Sequence, residues 1–205
     1  MADDIIQRSP EWLAIKAGRV GASRVADAIR KLKNGSYATS RLTLMCELIA
    51  ESYTGTTTPI GSGGFVPRDV QRGIDSEPLA RKLYEDITGS LVLEAGFVFH
   101  PKIERSGCSP DGYVGNAGLV EFKAPRPENH IRTMVTHEID NDYILQCQWQ
   151  MACTGRQWVD FASFSPALPK EVCIYISRIE RDDKLIASME IEVVKFLEDM
   201  DNARQ

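Results

Sequence analysis

A chain of 205 residues with 43% apolar and 26% charged side chains has the makeup of an ordinary globular protein with room for one sizeable core. A net charge of −5 argues against indiscriminate coating of nucleic acid, and no apolar run approaches the ~20 residues of a membrane span. The Met-Ala-Asp-Asp start lacks the layout of a secretory signal, so the expectation is a cytoplasmic protein that does not engage a membrane.

Ser9-Pro10-Glu11 opens a short helix carrying Trp12 and Ile15, which Gly18 stops. A second helix is predicted over 22–33, ending at Asn34-Gly35, and a third over 39–52 with Leu42, Met45 and Ile49 on its apolar side. Basic residues gather at Lys16, Arg19, Arg24, Arg30, Lys31 and Lys33; a solvated helix face accounts for the last three. The Gly/Thr/Pro-rich stretch 54–67 reads as a mobile loop. Helix character returns over 70–88, with Leu79, Leu83 and Ile87 at helical spacing and Gly89 as the stop. Pro78 is tolerated only in a first turn or at a bend, which places Glu77 near one or the other.

Strands are predicted at 91–99, 111–114 and 119–124, then a helix at 143–154 closed by Gly155. Two further strands, 158–164 and 172–179, precede an amphipathic helix at 183–201 with Leu185, Met189, Phe196 and Met200 inward. This order describes one domain over 1–205, of mixed α/β (α+β) class, with a central mixed sheet flanked by helices. The five cysteines show no Cys-x-x-Cys spacing, which disfavours a zinc site or a disulfide framework. His100, His130 and His137 do not cluster and read as surface or core histidines, with His130 closest to the segment of most interest.

That segment is 109–123, Ser-Pro-Asp-Gly-Tyr-Val-Gly-Asn-Ala-Gly-Leu-Val-Glu-Phe-Lys. It reads as a β-hairpin with Asp111 at its mouth and Glu121 beside Lys123 on one face of the second strand. Two hard oxygen donors with a lysine suit a site that holds Mg²⁺ and orients or deprotonates a water for phosphodiester hydrolysis. The geometry is demanding. A two-residue Asn116-Ala117 loop would send Asp111 to the wrong face, so a three- or five-residue loop, or a bulge, is required. Asp in a Pro-Asp-Gly turn and Glu/Lys on a wet face are also common for local reasons, so the residues alone leave both explanations open. The apolar neighbours Leu119, Val120 and Phe122 suggest a strand buried on both faces, where carboxylates need partners, and this favours a site.

Taken together, Ser-Pro-Asp-Gly, Glu-x-Lys and the Gln146-x-Gln148 of the later helix resemble the lambda exonuclease (YqaJ-type viral recombinase) family of PD-(D/E)XK nucleases. The resemblance implies a restriction-endonuclease-like core with Asp111, Glu121 and the Phe122 backbone carbonyl as metal ligands and Lys123 as the catalytic lysine. It further implies that Glu77 serves a second metal or its waters and that Gln146 completes the catalytic set. Lys16 and Ser23 match positions around the 5′-phosphate, with lysine where the family has arginine, so that phosphate capture is either weaker or shared with Arg19 or Arg24. The implied cofactor is Mg²⁺, two ions, with Mn²⁺ as a substitute. The implied activity is 5′→3′ digestion of one strand of duplex DNA to mononucleotides, leaving a 3′ single-stranded tail for phage-type recombination. The implied assembly is a homotrimer ring around DNA, and the implied partner a phage-type single-strand annealing protein. The rivals are an endonuclease on the same core and a non-catalytic DNA-binding module.

Overall fold

A computed structural model describes residue 5 and residues 7–57 and 67–204. Most of the loop expected at 54–67 therefore lies outside the described residues. Helix α1 (Pro10–Lys16) begins as anticipated, with the Ser9 hydroxyl accepting from the Trp12 N–H and Pro10 in the first turn. A two-residue strand β1 (Val20–Gly21) and a 3-10 turn at 22–24 then lead into α2 (Val25–Ile29). Here the predicted helix over 22–33 proves too long. Arg30 has left helical dihedrals, and the chain turns back through a Lys31–Tyr37 bridge, with Leu32 N–H donating to the Ser36 carbonyl.

Helix α3 (Thr39–Thr54) ends at Gly55 in the left-handed conformation. It buries Leu44, Met45 and Leu48 and packs Ile49 against the same core, whereas Leu42, the first residue of the expected stripe, is 60% exposed. Helix α4 (Arg68–Thr88) continues past Pro78, the eleventh residue of the element. Pro78 has no N–H, which leaves the Ile74 carbonyl, one helical turn before it, without its usual helical donor. Ser76, Ala80 and Tyr84 face inward and Leu83 of the expected stripe packs against the same core, while Leu79 and Ile87 are exposed. The small Ala80 lets Tyr84 approach the sheet, where its hydroxyl donates to Asp160 Oδ2 at 2.8 Å.

The single strand expected at 91–99 is two strands in different sheets, β2 (Val92–Leu93) and β3 (Val98–Phe99). β4 (Ser106–Cys108), β1 and helix α5 (Pro127–Thr136) are elements the sequence pattern did not mark. β5 (Gly112–Val114), β6 (Gly118–Lys123), α6 (Asn141–Thr154), β7 (Trp158–Phe164), β8 (Ile174–Glu180) and α7 (Asp183–Asn202) lie where expected, to within two residues.

The larger sheet has the order β2-β5-β6-β7-β8, with β6 and β7 parallel and the other neighbours antiparallel. A smaller sheet, β1-β4-β3, stands apart from it. Alternation along β6 sends Val120 and Phe122 to the α4 side, packed with Ala80 and Tyr84, and Leu119 to the α6 side, packed with Cys147 and Met151. Both faces are covered, which explains why β6 is apolar without simple alternation. Gly118 is required at the base of β6, because a Cβ there would sit 2.1 Å from the Trp158 ring. The largest core cluster joins α2, α3, α6 and α7 through Val25, Leu48, Trp149 and Phe196, and fixes α6 against the sheet. Truncating a fully buried aromatic such as Trp149 to alanine costs about 3–5 kcal/mol.

Candidate active site

The site forms where β5 and β6 leave their shared ladder. Gly112 pairs with Val120, Tyr113 with Leu119 and Val114 with Gly118, so the loop is the three residues Gly115-Asn116-Ala117. Gly115, at φ +53, supplies the left-handed turn position. One step beyond Gly112–Val120 the same register sets Asp111 opposite Glu121, as the metal-site reading demanded. Pro110 comes next, opposite Phe122, and has no N–H to offer; its carbonyl accepts the Gln7 side-chain amide at 2.9 Å. The ladder stops there. The Phe122 N–H donates instead to Asp111 Oδ2 at 2.7 Å, and the Phe122 carbonyl, on the same side of the strand, is left without a ladder donor. Arg81 of α4 secures the turn by donating to the Asp111 carbonyl at 2.6 Å.

Glu121 is buried, 3% exposed, and the fold surrounds it with donors. Lys123 Nζ lies 2.6 Å from its Oε1. Gln146 Nε2 donates to the same oxygen at 2.6 Å, and Gln150 Nε2 donates to Oε2 at 2.6 Å. Lys123 also donates to Gln146 Oε1 at 3.1 Å and sits 5.0 Å from the centre of the Tyr143 ring. The arrangement follows from two periodicities: Glu121 and Lys123 share the α6-facing side of β6, and residues 146 and 150 are one helical turn apart on α6.

Burial, then the neighbouring Glu121, pushes the Asp111 carboxyl well above its ordinary range; Lys123 opposes the shift and Glu77 adds to it. Burial works against the Lys123 charge, but Glu121 and Asp111 together outweigh it and hold the ammonium protonated above its usual range. The Cys147 thiol behind them is pushed up by burial and then by Glu121, so it stays protonated.

Two carboxylates against one ammonium leave this recess short of positive charge. The donor set is hard oxygen throughout: Asp111, Glu121 and the freed Phe122 carbonyl, which suits Mg²⁺ or Mn²⁺ and not zinc. Among the described residues no three His, Cys, Asp or Glu side chains converge at metal-ligand spacing. The candidate third carboxylate, Glu77, lines the same cleft but is held by Arg8 Nη2 at 2.8 Å.

The cleft above these groups encloses about 710 Å³. Its rim carries Arg72 and Arg126, both bridged to Asp69, with Arg72 also donating to the Ala124 carbonyl at 2.8 Å. A second cleft of about 740 Å³ adjoins it through Gly73 and collects Lys16, Arg19, Ser23 and Arg24 beside Trp12. Lys16 Nζ stands 3.6 Å over the Trp12 ring, and its pKa is lowered to about 8, first by burial, with Glu51 raising and Arg24 lowering it. Arg24 is bound to Glu47 and, at 3.2 Å, to Glu51, and Arg19 donates to the Ile15 carbonyl at 2.6 Å.

The structure thus joins Asp111, Glu121, Lys123 and Gln146 in one cluster, places Glu77 at its edge and gathers the four phosphate candidates next door. Sequence reasoning missed Gln150, Tyr143 and Arg126. For Gln150 a signal existed in its i+4 spacing from Gln146. Gln148, by contrast, points away: it donates to the Glu180 carbonyl and accepts the Asp182 N–H, tying α6 to the β8–α7 turn. His130 is a core histidine bound to Ser163 and the Val172 carbonyl.

A carboxylate pair and a lysine on a hairpin of a mixed sheet, backed by a glutamine helix, define the PD-(D/E)XK nuclease class. The YqaJ-like viral recombinase domain matches residues 11–157, and the chain belongs to that family. It is similar to an alkaline exonuclease (LHK-Exo) from Laribacter hongkongensis, at 44% identity over 95% of this chain and 94% of that one, with a TM-score of 0.86. The same values hold for the structure of LHK-Exo in complex with dAMP. A phage related exonuclease from Haemophilus somnus 129PT shares the fold at 15% identity, TM-score 0.68, over 90% of this chain and 94% of that one. Comparison with curated protein sequences gives no significant match.

Proposed function

We propose that this protein is a DNA exonuclease, and more specifically a Mg²⁺-dependent enzyme that digests one strand of duplex DNA in the 5′→3′ direction to mononucleotides. The observation that carries this reading is the cluster of Asp111, Glu121 and Lys123 at the stopped ladder, open to a cleft with a basic rim. The 44% identity to an alkaline exonuclease supports it, and that relative's complex with dAMP agrees with mononucleotide products.

Asp111, Glu121 and the Phe122 carbonyl are the groups that would hold a first Mg²⁺, with Glu77 serving a second. Bound there, the ions would supply Lewis-acid stabilisation of the phosphate and a more acidic water. The chain's own residues do the positioning. Gln146 and Gln150 fix the Glu121 carboxylate from both oxygens, and Arg81 with the Phe122 N–H fixes Asp111. Lys123 orients the attacking water and offers positive charge to the scissile phosphate. Lys16, Arg19, Ser23 and Arg24 receive the phosphate of the 5′ end.

We place the whole chain in one nuclease domain, acting in the cytoplasm as a homotrimer ring that leaves a 3′ tail for a phage-type single-strand annealing protein. No described helix is long and apolar enough to cross a membrane. Incubation of 5′-phosphorylated linear duplex, 5′-hydroxyl duplex and covalently closed circle with Mg²⁺ tests the activity. Mononucleotides from the linear duplexes and an intact circle are expected; nicking of the circle would point to an endonuclease, and binding without cleavage to a DNA-binding module.

A further inference from the structure

Residues 7–9, which lead into α1, bring Arg8 to the border of the two clefts. Gln7 Nε2 donates to the Ala95 and Pro110 carbonyls, each at 2.9 Å, which pins this segment to the turn that carries Asp111. The next residue, Arg8, has φ +70, in the left-handed region that side chains other than glycine seldom occupy. Ser9 then caps α1. Arg8 is thus fixed at its backbone on both sides, and its guanidinium meets Glu77 Oε2 at 2.8 Å. Arg8 lines the basic cleft with Lys16 and Ser23, Glu77 lines the carboxylate cleft with Asp111, and Gly73 borders both. The ion pair therefore stands on the ridge between the two clefts.

This pair is weakly held. Arg8 is 53% exposed and Glu77 27%, and exposed ion pairs exchange readily with other partners. A divalent cation near Glu77 repels a guanidinium, whereas a phosphate ester accepts its planar fork through two parallel hydrogen bonds. A strand passing from the basic cleft to the carboxylate cleft must carry its phosphates over this ridge.

We infer that Arg8 is an exchangeable DNA ligand. It neutralises Glu77 while the carboxylate cleft holds no cation, and it transfers to the phosphate between the strand end and the scissile bond when cation and DNA are present. The inference rests on the nuclease reading of the two clefts. Its signature is coupling: the contribution of Arg8 to DNA affinity depends on the divalent cation, a dependence an ordinary surface ion pair would not show.

The test uses the full chain and its Arg8→Gln and Arg8→Lys variants. The affinity of a fluorescent 5′-phosphorylated duplex is measured by anisotropy with Ca²⁺, which permits binding without turnover, and again with chelator. Arg8→Gln is expected to weaken binding about tenfold with Ca²⁺ and to lower the slope of log affinity against log salt by about one. With chelator the loss should be under about twofold, because Arg8 is then engaged by Glu77. Calorimetric titration of Mg²⁺ without DNA should show tighter binding to Arg8→Gln, which no longer competes for Glu77, and Arg8→Lys should fall between the two. Equal losses with and without Ca²⁺, or no loss in either, would overturn the inference once unchanged thermal melting shows that the variants fold. Failure of the unaltered protein to bind Mg²⁺ or DNA would instead overturn the nuclease reading beneath it.

Discussion

The two adjoining clefts are built on opposite principles. In the carboxylate cleft Glu121 and Lys123 sit on β6, a strand covered on both faces, Gln146 and Gln150 sit on the fourteen-residue α6, and each oxygen of Glu121 is held by a named donor. In the basic cleft they sit on the seven-residue α1 and a 3-10 turn, and much of the positive charge is already engaged by Glu47, Glu51 and the Ile15 carbonyl. The first arrangement fixes charges in place for chemistry. The second keeps charge adjustable, which is what the proposed capture and release of a 5′-phosphate would need.

The sharpest way to break this contrast is Asp111→Asn. It should lower the cleavage rate about 10³-fold or more, while leaving duplex affinity nearly unchanged by anisotropy. The same change should stabilise the metal-free protein. The Asp111 carboxyl is held above its ordinary value, so its ionised form destabilises the fold once pH exceeds the unfolded value near 4, and that burden grows up to the folded value. Metal-free Asp111→Asn should therefore melt a few degrees higher than the unaltered protein at pH 7, and Mg²⁺ should raise the melting point of the latter alone. Equal melting temperatures would mean that burial does not load this carboxylate.

Gln150→Leu tests whether Glu121 needs its second clamp. Loss of the donor to Oε2 should weaken Mg²⁺ binding about 10–100-fold, read by calorimetry, with duplex affinity retained. Lys16 probes the adjustable side. Its charge fades as pH rises through about 8, so the preference for 5′-phosphorylated over 5′-hydroxyl ends in kcat/KM should fall about tenfold from pH 7 to pH 9. Lys16→Arg should flatten that profile, because a guanidinium does not titrate there. The smallest effect belongs to Tyr84→Phe. It removes one donor to Asp160 while Arg178 keeps two, so about 1 kcal/mol of stability should be lost in denaturant unfolding without change in Mg²⁺ affinity.

The hairpin was legible because its constraints are local. Gly115, Asn116 and the parity of the strand allowed only certain loop lengths if Asp111 was to meet Glu121, and the three-residue loop satisfies one of them. Helix stops at Gly89 and Gly155 were equally local, since each takes a left-handed conformation that glycine accepts without cost. The inward faces of α3 and α4 were legible only in part: Met45, Ile49 and Leu83 do pack against the core. Leu42, Leu79 and Ile87 lie at helical spacing yet are exposed, because the partner surfaces accept Leu44 and Leu48 on one helix and the smaller Ala80 beside Tyr84 on the other. Short strands such as β1 and β4 carry too few residues to show any period.

The sequence by itself determined the chemistry of the cleft: two carboxylates, a lysine at i+2 and a glutamine helix, all set by backbone periodicity within contiguous segments. Only the tertiary structure decided who attends them. That Gln150 and not Gln148 grips Glu121, that Pro110 ends the ladder and frees the Phe122 carbonyl, and that Arg8 spans to Glu77 are meetings between segments from 25 to 69 residues apart or between edges of strands. No local period encodes such meetings, because they depend on how separately formed elements pack.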